Sequence, residues 1–179
     1  MKILDVGCLY VNNLVPFSDT GVELHGTEIN PEMILLAEQN ALLWGIDLKV
    51  QKGVNKTLPY DNQTFDTLLS LNTIHYERNK KEVLCGLREF HRVGNESCHF
   101  YIMTNGKNHL FHKSAVRIKE NSYRLRTDEF RNNQTMAYFD DKSHFKETLE
   151  TVFSHVEVAV LTEQWPTVCY EFYLAKCYK

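Results

Sequence analysis

Lys2-Ile3-Leu4-Asp5-Val6-Gly7-Cys8 is the stretch from which the rest of the chain is read. A short apolar run halted by glycine is the pattern of a strand buried on both faces. Working outward, residues 22–28 read as a second strand, ending at Glu28 in Gly26-Thr27-Glu28-Ile29-Asn30. Asn30-Pro31-Glu32 then opens a helix. Asn accepts from an unpaired amide, Pro needs no donor at the first helical position, and Glu suits the positive end. That helix runs through Met33, Ile34, Ala37, Ala41 and Leu42 and stops at Gly45. Residues 46–50 make a third strand. After the turn-rich Leu58-Pro59-Tyr60-Asp61-Asn62, residues 65–71 make a fourth. Val83, Leu84, Leu87 and Phe90 recur at helical spacing up to Gly94, and residues 99–103 give a fifth strand. Strands alternating with helices through short links predict a parallel sheet covered on both faces.

The tail departs from that rhythm. Phe145, Leu149, Val152 and Phe153 predict a helix, and residues 156–161 and 170–176 predict two strands joined across Gln164-Trp165-Pro166. A helix followed by two closely linked strands gives an antiparallel pair at the sheet edge. With 179 residues, no internal repeat and no low-complexity linker, residues 1–179 are expected to form one domain.

Composition narrows the function classes. Hydrophobic residues at 43% and charged residues at 24% are an ordinary globular mix, which excludes disorder and fibrous folds. A formal charge of −3 gives no overall pull towards nucleic acid or an acidic membrane. The apolar runs are short of a membrane span, and no signal peptide is expected ahead of Ile3. Cys8, Cys85, Cys98, Cys169 and Cys177 are odd in number and lack any CxxC spacing. Reduced thiols in a cytoplasmic protein are expected, with no metal site. His109 and His112 stand three apart without a third ligand.

Ligands of open parallel sheets bind beyond the carboxyl ends of the strands, so the loop after the first strand matters most. Twenty-one residues beyond Gly7, Glu28 offers a carboxylate that can accept two hydrogen bonds from a ribose diol. A nicotinamide-type GxGxxG would need glycine at Leu9 and Asn12, and no GxxxxGK[ST], HExxH or GxSxG is present.

These motifs resemble the class I S-adenosylmethionine-dependent methyltransferases. Leu4-Asp5-Val6-Gly7-Cys8 is similar to the start of that family's first motif, and residues 26–33 to its second. Leu58-Pro59-Tyr60 with Phe65-Asp66-Thr67-Leu68-Leu69 is similar to the run into strand 4, and Glu89-Phe90-His91-Arg92-Val93 to the helix leading into strand 5. The resemblance spans about residues 2–104, and the paired strands of the tail fit the family's antiparallel end. It implies a Rossmann-like, doubly wound, mostly parallel α/β sheet with an antiparallel C-terminal strand, in a three-layer sandwich. S-adenosyl-L-methionine is the implied cofactor. Glu28 and Ile29 would hold the ribose side, Asp5, Gly7, Cys8, Leu9 and Tyr10 the methionine end, and Val54 and Asn55 the adenine flank. Asn72 through Tyr76 would lie beside the methyl, with His75 as a proton acceptor and Tyr76 orienting the nucleophile.

The sequence also departs from the family. Its loop glycines are replaced by Leu9 and Val11, and a β-branched residue is expected to resist the left-handed backbone that glycine allows. Leu9 is expected to fill space near the methionine arm. The acid that often follows strand 3 is missing, with Val54 and Asn55 in its place. The chain opens directly on the first strand, so the leading cover segment is expected to be lost or the pocket unusually open. Residues 105–139 carry seven basic side chains (Lys107, Lys113, Arg117, Lys119, Arg124, Arg126, Arg131) against Glu120, Asp128 and Glu129. A substrate-recognition insertion is expected there, and an arginine fork facing the cleft would favour an anionic acceptor.

The leading expectation is therefore methyl transfer to an oxygen or nitrogen of a small polar acceptor. The alternative is a catalytically inactive relative serving as a binding or scaffold subunit, given the two lost glycines. A nucleic-acid methyltransferase fits least, because the Asn/Asp-Pro-Pro-aromatic motif and a basic excess are both absent.

Overall fold

The computed structural model describes residues 1–113, 115–119, 121–126 and 132–179. In chain order its strands are β1 (Lys2–Val6), β2 (Glu23–Glu28), β3 (Leu48–Lys52), β4 (Phe65–Leu71), β5 (Gly94–Asn105), β6 (Val116–Lys119), β7 (Ser122–Arg124), β8 (Thr135–Ala137), β9 (His155–Gln164) and β10 (Cys169–Tyr178). The helices are α1 (Pro31–Leu43), α2 (Lys80–Val93), α3 (Leu110–Lys113) and α4 (Lys142–Glu150), with 3₁₀ turns at Val15–Phe17 and Ile74–Tyr76.

Seven strands form one sheet in the order β3-β2-β1-β4-β5-β10-β9. β1 runs parallel to both β2 and β4, with Leu4 opposite His25 on one side and Leu68 on the other. β10 is antiparallel to β5 and to β9. The result is the Rossmann-like, mostly parallel sheet with an antiparallel end that the sequence predicts. Strand order reverses at β1, so the chain diverges above its carboxyl end and opens a crevice there.

Each face of the sheet carries its own core. Ile3, Leu24 and Leu69 pack with Ala37 and Ala41 of α1 on one face. Leu4, Leu68, Phe100, Ile102 and Ala175 pack with Val83, Leu87 and Phe90 of α2 and with Phe145 and Leu149 of α4 on the other. The start of α1 is as predicted: Asn30 Oδ1 accepts from Met33 N at 2.9 Å, Pro31 follows, and Gly45 leaves the helix at φ +66°.

Several boundaries shift. β3 begins two residues later than expected, and β5 runs from Gly94, opposite Phe65 of β4, to Asn105, opposite Phe172 of β10. Along α1, Ala37 and Ala41 are the buried residues, while Leu42 is 82% exposed. No helix among the described residues is long and apolar enough to cross a membrane.

Residues between β5 and α4 build a separate three-stranded sheet, β6-β7-β8. It packs onto the Ile74–Tyr76 turn through β8, and Ser122 Oγ donates to Arg78 O at 2.6 Å. Arg131, Glu120, Asp128 and Glu129 of the expected basic insertion lie outside the described residues.

Candidate functional site

Above the carboxyl ends of β1, β2 and β4 lies a cleft of about 760 Å³. Gly7 turns the chain out of β1 at φ +75°, and a Cβ there would come within 2.6 Å of Thr73 Cγ2. Only glycine lets the first loop and the β4 loop approach this closely. The loop then continues through Leu9 at φ +27° and Val11 at φ +55°. The expectation that Val11 would resist this conformation is overturned. Its side chain is fully buried in the α1-side core, and that packing offsets the strain. Leu9 borders the cleft, while Val11 is turned away from it.

Glu28 closes β2 and is 4% exposed, and its carboxylate forms part of the cleft wall. Oε1 accepts from Leu9 N at 2.8 Å and Oε2 from Ile29 N at 3.3 Å. The acid therefore ties the two loops together, and each oxygen keeps a further lone pair. Cys8 packs its sulfur where a Cβ on Gly26 would stand, 2.4 Å away. Burial pushes its thiol well above the usual range, so it is a packing group and not a nucleophile.

Of the residues the sequence singled out, Gly7, Cys8, Leu9, Tyr10, Glu28, Ile29, Val54, Asn55, Asn72 and Tyr76 all line this cleft. Tyr10 and Ile29 stand at its rim, each 54% exposed. Asn55 Nδ2 donates to Thr73 O at 3.2 Å and to Glu77 Oε1 at 3.0 Å. Two acceptors on that side fix the orientation of its amide. Asn72 leaves β4 at φ +65° with its N–H held by Met103 O at 3.1 Å.

Two expected members are not in the wall. Asp5 is wholly buried beneath the loop, where Oδ2 accepts from Asn13 Nδ2 at 3.1 Å. Burial raises its carboxyl to about 7, the Asn13 bond partly offsets this, and the charge of Glu28 adds to the rise. His75 is 2% exposed and sits against the Tyr76 ring, 4.4 Å between centroids. The 3₁₀ turn points Tyr76 to the cleft and His75 into the interior.

Thr73, within the expected Asn72-to-Tyr76 stretch, lines the cleft too, and other residues join the wall without a sequence signal strong enough to find them, notably Asn12, Asn13, Glu77 and Gln134. Glu77 comes from the turn after β4, with Lys56 Nζ 3.1 Å from Oε2. Gln134 arrives from the small sheet, some sixty residues away in the chain. None of the described basic side chains of residues 105–139 lines the cleft, so the expected arginine fork does not form among them. Lys107 and Lys113 instead border a second hollow of about 400 Å³, together with His109 and His112. Burial pushes both of these histidines down to about 4, and their rings stand 6.4 Å apart among aromatic neighbours.

Comparison with known proteins bears on this geometry. The family profile of the methyltransferase domain matches residues 3–97. Uncharacterized proteins of Mycobacterium tuberculosis and Mycobacterium bovis are 29% identical over 70 residues, or 39% of this chain and 26% of theirs. The match thus spans about a quarter of the length of these curated relatives, by that 26%. A S-adenosylmethionine-dependent methyltransferase of Methanosarcina mazei shares the fold at TM-score 0.77 and 20% identity, covering 99% of this chain and 92% of that one. The 1,6-didemethyltoxoflavin-N1-methyltransferase of Burkholderia thailandensis, solved with bound S-adenosylhomocysteine, shares it at TM-score 0.72 and 14% identity, covering 99% and 70%. With the family profile extending over more than half of its 179 residues, and this sheet order around it, the chain belongs to the class I S-adenosylmethionine-dependent methyltransferase family.

Proposed function

We propose that residues 1–179 act as one methyltransferase unit, binding S-adenosylmethionine in the cleft above β1 and β2 and methylating an oxygen or nitrogen of a small polar acceptor. The observation that carries this reading is the Glu28 carboxylate on the wall of an open cleft, with spare lone pairs directed by two loop amides. The residues present fit the cofactor. Glu28 would accept both ribose hydroxyls, and the Gly7-to-Tyr10 turn would hold the methionine end. Asn55 would offer the adenine its carbonyl oxygen, because both of its N–H donors are used within the protein. When bound, the cofactor supplies an electrophilic methyl on a sulfonium, which passes to an acceptor lone pair as the carbon–sulfur bond electrons stay on sulfur.

The chain's own contribution is mainly positional. Asn72, Thr73 and Tyr76 would form the floor against which the acceptor is oriented, and Tyr76 would hydrogen-bond the attacking atom. Holding two reactants in line can contribute roughly 7–11 kcal/mol without a strong base. The proton lost by the acceptor would pass to water, which this half-open cleft admits. His75 faces the interior, so the reading assigns it a supporting place behind Tyr76.

The scaffold alternative rests on the glycines replaced by Leu9 and Val11. Against it stands the retention of left-handed φ at both positions. Isothermal titration with S-adenosylmethionine separates the two. Roughly micromolar binding, weakened about 10–100-fold by Glu28→Ala through the loss of charge-assisted bonds, is the expected result. No heat at millimolar ligand would leave only the scaffold.

A further inference from the structure

The lining left over by the proposed cofactor contacts carries side-chain amides and hydroxyls: Asn12, Asn13, Asn72, Thr73, Tyr76 and Gln134. Among the described residues no lysine or arginine lines the cleft, and its charged wall groups are the carboxylates of Glu28 and Glu77. Asp5 adds a third carboxyl beneath the first loop. Lys56 pairs with Glu77 and Glu82 from outside the wall. A carboxylate or phosphate entering here would shed water and find, among the described lining residues, no lysine or arginine to pair with. A molecule carrying N–H groups meets side-chain amide and hydroxyl oxygens able to accept from it.

A second observation points the same way. Asn72 Oδ1 is buried and has no hydrogen-bond partner, in a residue that lines the cleft just beyond the carboxyl end of β4. A buried acceptor left unmet costs about 1–3 kcal/mol, and a donor supplied by a ligand would recover that cost.

We infer that the acceptor is an uncharged or cationic nitrogen compound, an amine, an amide or an N–H heterocycle, whose N–H groups are read by Asn72 and its neighbouring amides, and that carboxylate and phosphate acceptors are excluded. This rests on the reading that the Glu28 half of the cleft holds the cofactor. It replaces the anionic acceptor that the basic segment had suggested, because the cations of that segment which the structure describes lie elsewhere.

The test uses the whole chain saturated with S-adenosylhomocysteine, whose uncharged sulfur removes the sulfonium as a partner for anions. Titration of S-adenosylhomocysteine comes first, and its failure to bind strikes at the proposed function before any acceptor is added. A panel of small aryl and alkyl skeletons, each present as amine, amide, carboxylate and phosphate ester, is then titrated calorimetrically into the loaded protein. Amine and amide members are expected to bind at least about tenfold more tightly than their anionic counterparts, equivalent to about 1.4 kcal/mol. Asn72→Gly, which keeps the left-handed backbone and removes the amide, is expected to weaken those members at least about tenfold. Gln134→Lys is expected to move the preference towards the carboxylates. Carboxylate or phosphate members binding as tightly as their amine partners would overturn the inference. So would a panel in which no member binds the loaded protein.

Discussion

Replacing Val11 by glycine restores the residue that its family's first loop normally carries, yet the structure says the protein will lose stability. Val11 sits at φ +55° with a side chain fully buried beside Leu14 and Ile3. Relief of the left-handed conformation returns about 1–2 kcal/mol. Removing the buried side chain costs about 1.5–3 kcal/mol before any cavity is counted. Glycine adds about 0.5–1 kcal/mol through the freedom it gives the unfolded chain. The balance is a loss of roughly 1–2 kcal/mol, or a fall in Tm of roughly 2–8 °C for a chain of this size. Leu9→Gly is the control. Its φ is +27°, but its side chain is half-buried at the cleft, so strain relief and lost contact nearly cancel and the change should stay within about 0.5 kcal/mol. Urea unfolding followed by circular dichroism measures both variants, and the comparison is of midpoints at unchanged m-value. A Val11→Gly protein more stable than its parent would refute the claim that core packing holds this loop in place.

Other expectations follow from the same region. Asp5 is raised from 3.8 to about 7, so between those values the native state keeps a proton that the unfolded chain has released. Stability therefore falls as pH rises from about 4 to about 7, by at most about 4 kcal/mol. Asp5→Asn keeps an acceptor for Asn13 and should flatten that slope in denaturation curves at pH 5 and pH 8; an unchanged slope would refute the assignment. Gly26→Ala drives a Cβ to 2.4 Å from Cys8 Sγ and should cost about 1–3 kcal/mol. Cys8→Ala in the same chain should reduce that cost, and strict additivity in the double-mutant cycle would argue against the contact. Arg92 bridges Tyr60 O and Asn62 Oδ1 at 2.8 Å each and Leu58 O at 3.2 Å. Arg92→Ala should cost about 2 kcal/mol and raise amide exchange across residues 58–62.

The amino-acid sequence alone determined the order of the seven strands of the main sheet with α1, α2 and α4, the Asn30 cap and Gly45 stop of α1, and the placing of Glu28 at the end of β2. These are local matters of apolar period, capping chemistry and chain distance from Gly7, and neighbouring residues settle them. Tertiary structure decided the rest. Adjacent in sequence, His75 and Tyr76 part company because a 3₁₀ turn sends one inward and the other to the cleft. Gln134 reaches the wall only because a separate small sheet docks on that turn. Val11 keeps its left-handed backbone because residues distant in the chain close around its side chain. Where the described lysines and arginines of residues 105–139 lie relative to the cleft was equally beyond composition, since a charge count carries no direction. Side-chain orientation across elements is fixed by packing between distant segments, and a one-dimensional pattern does not contain it.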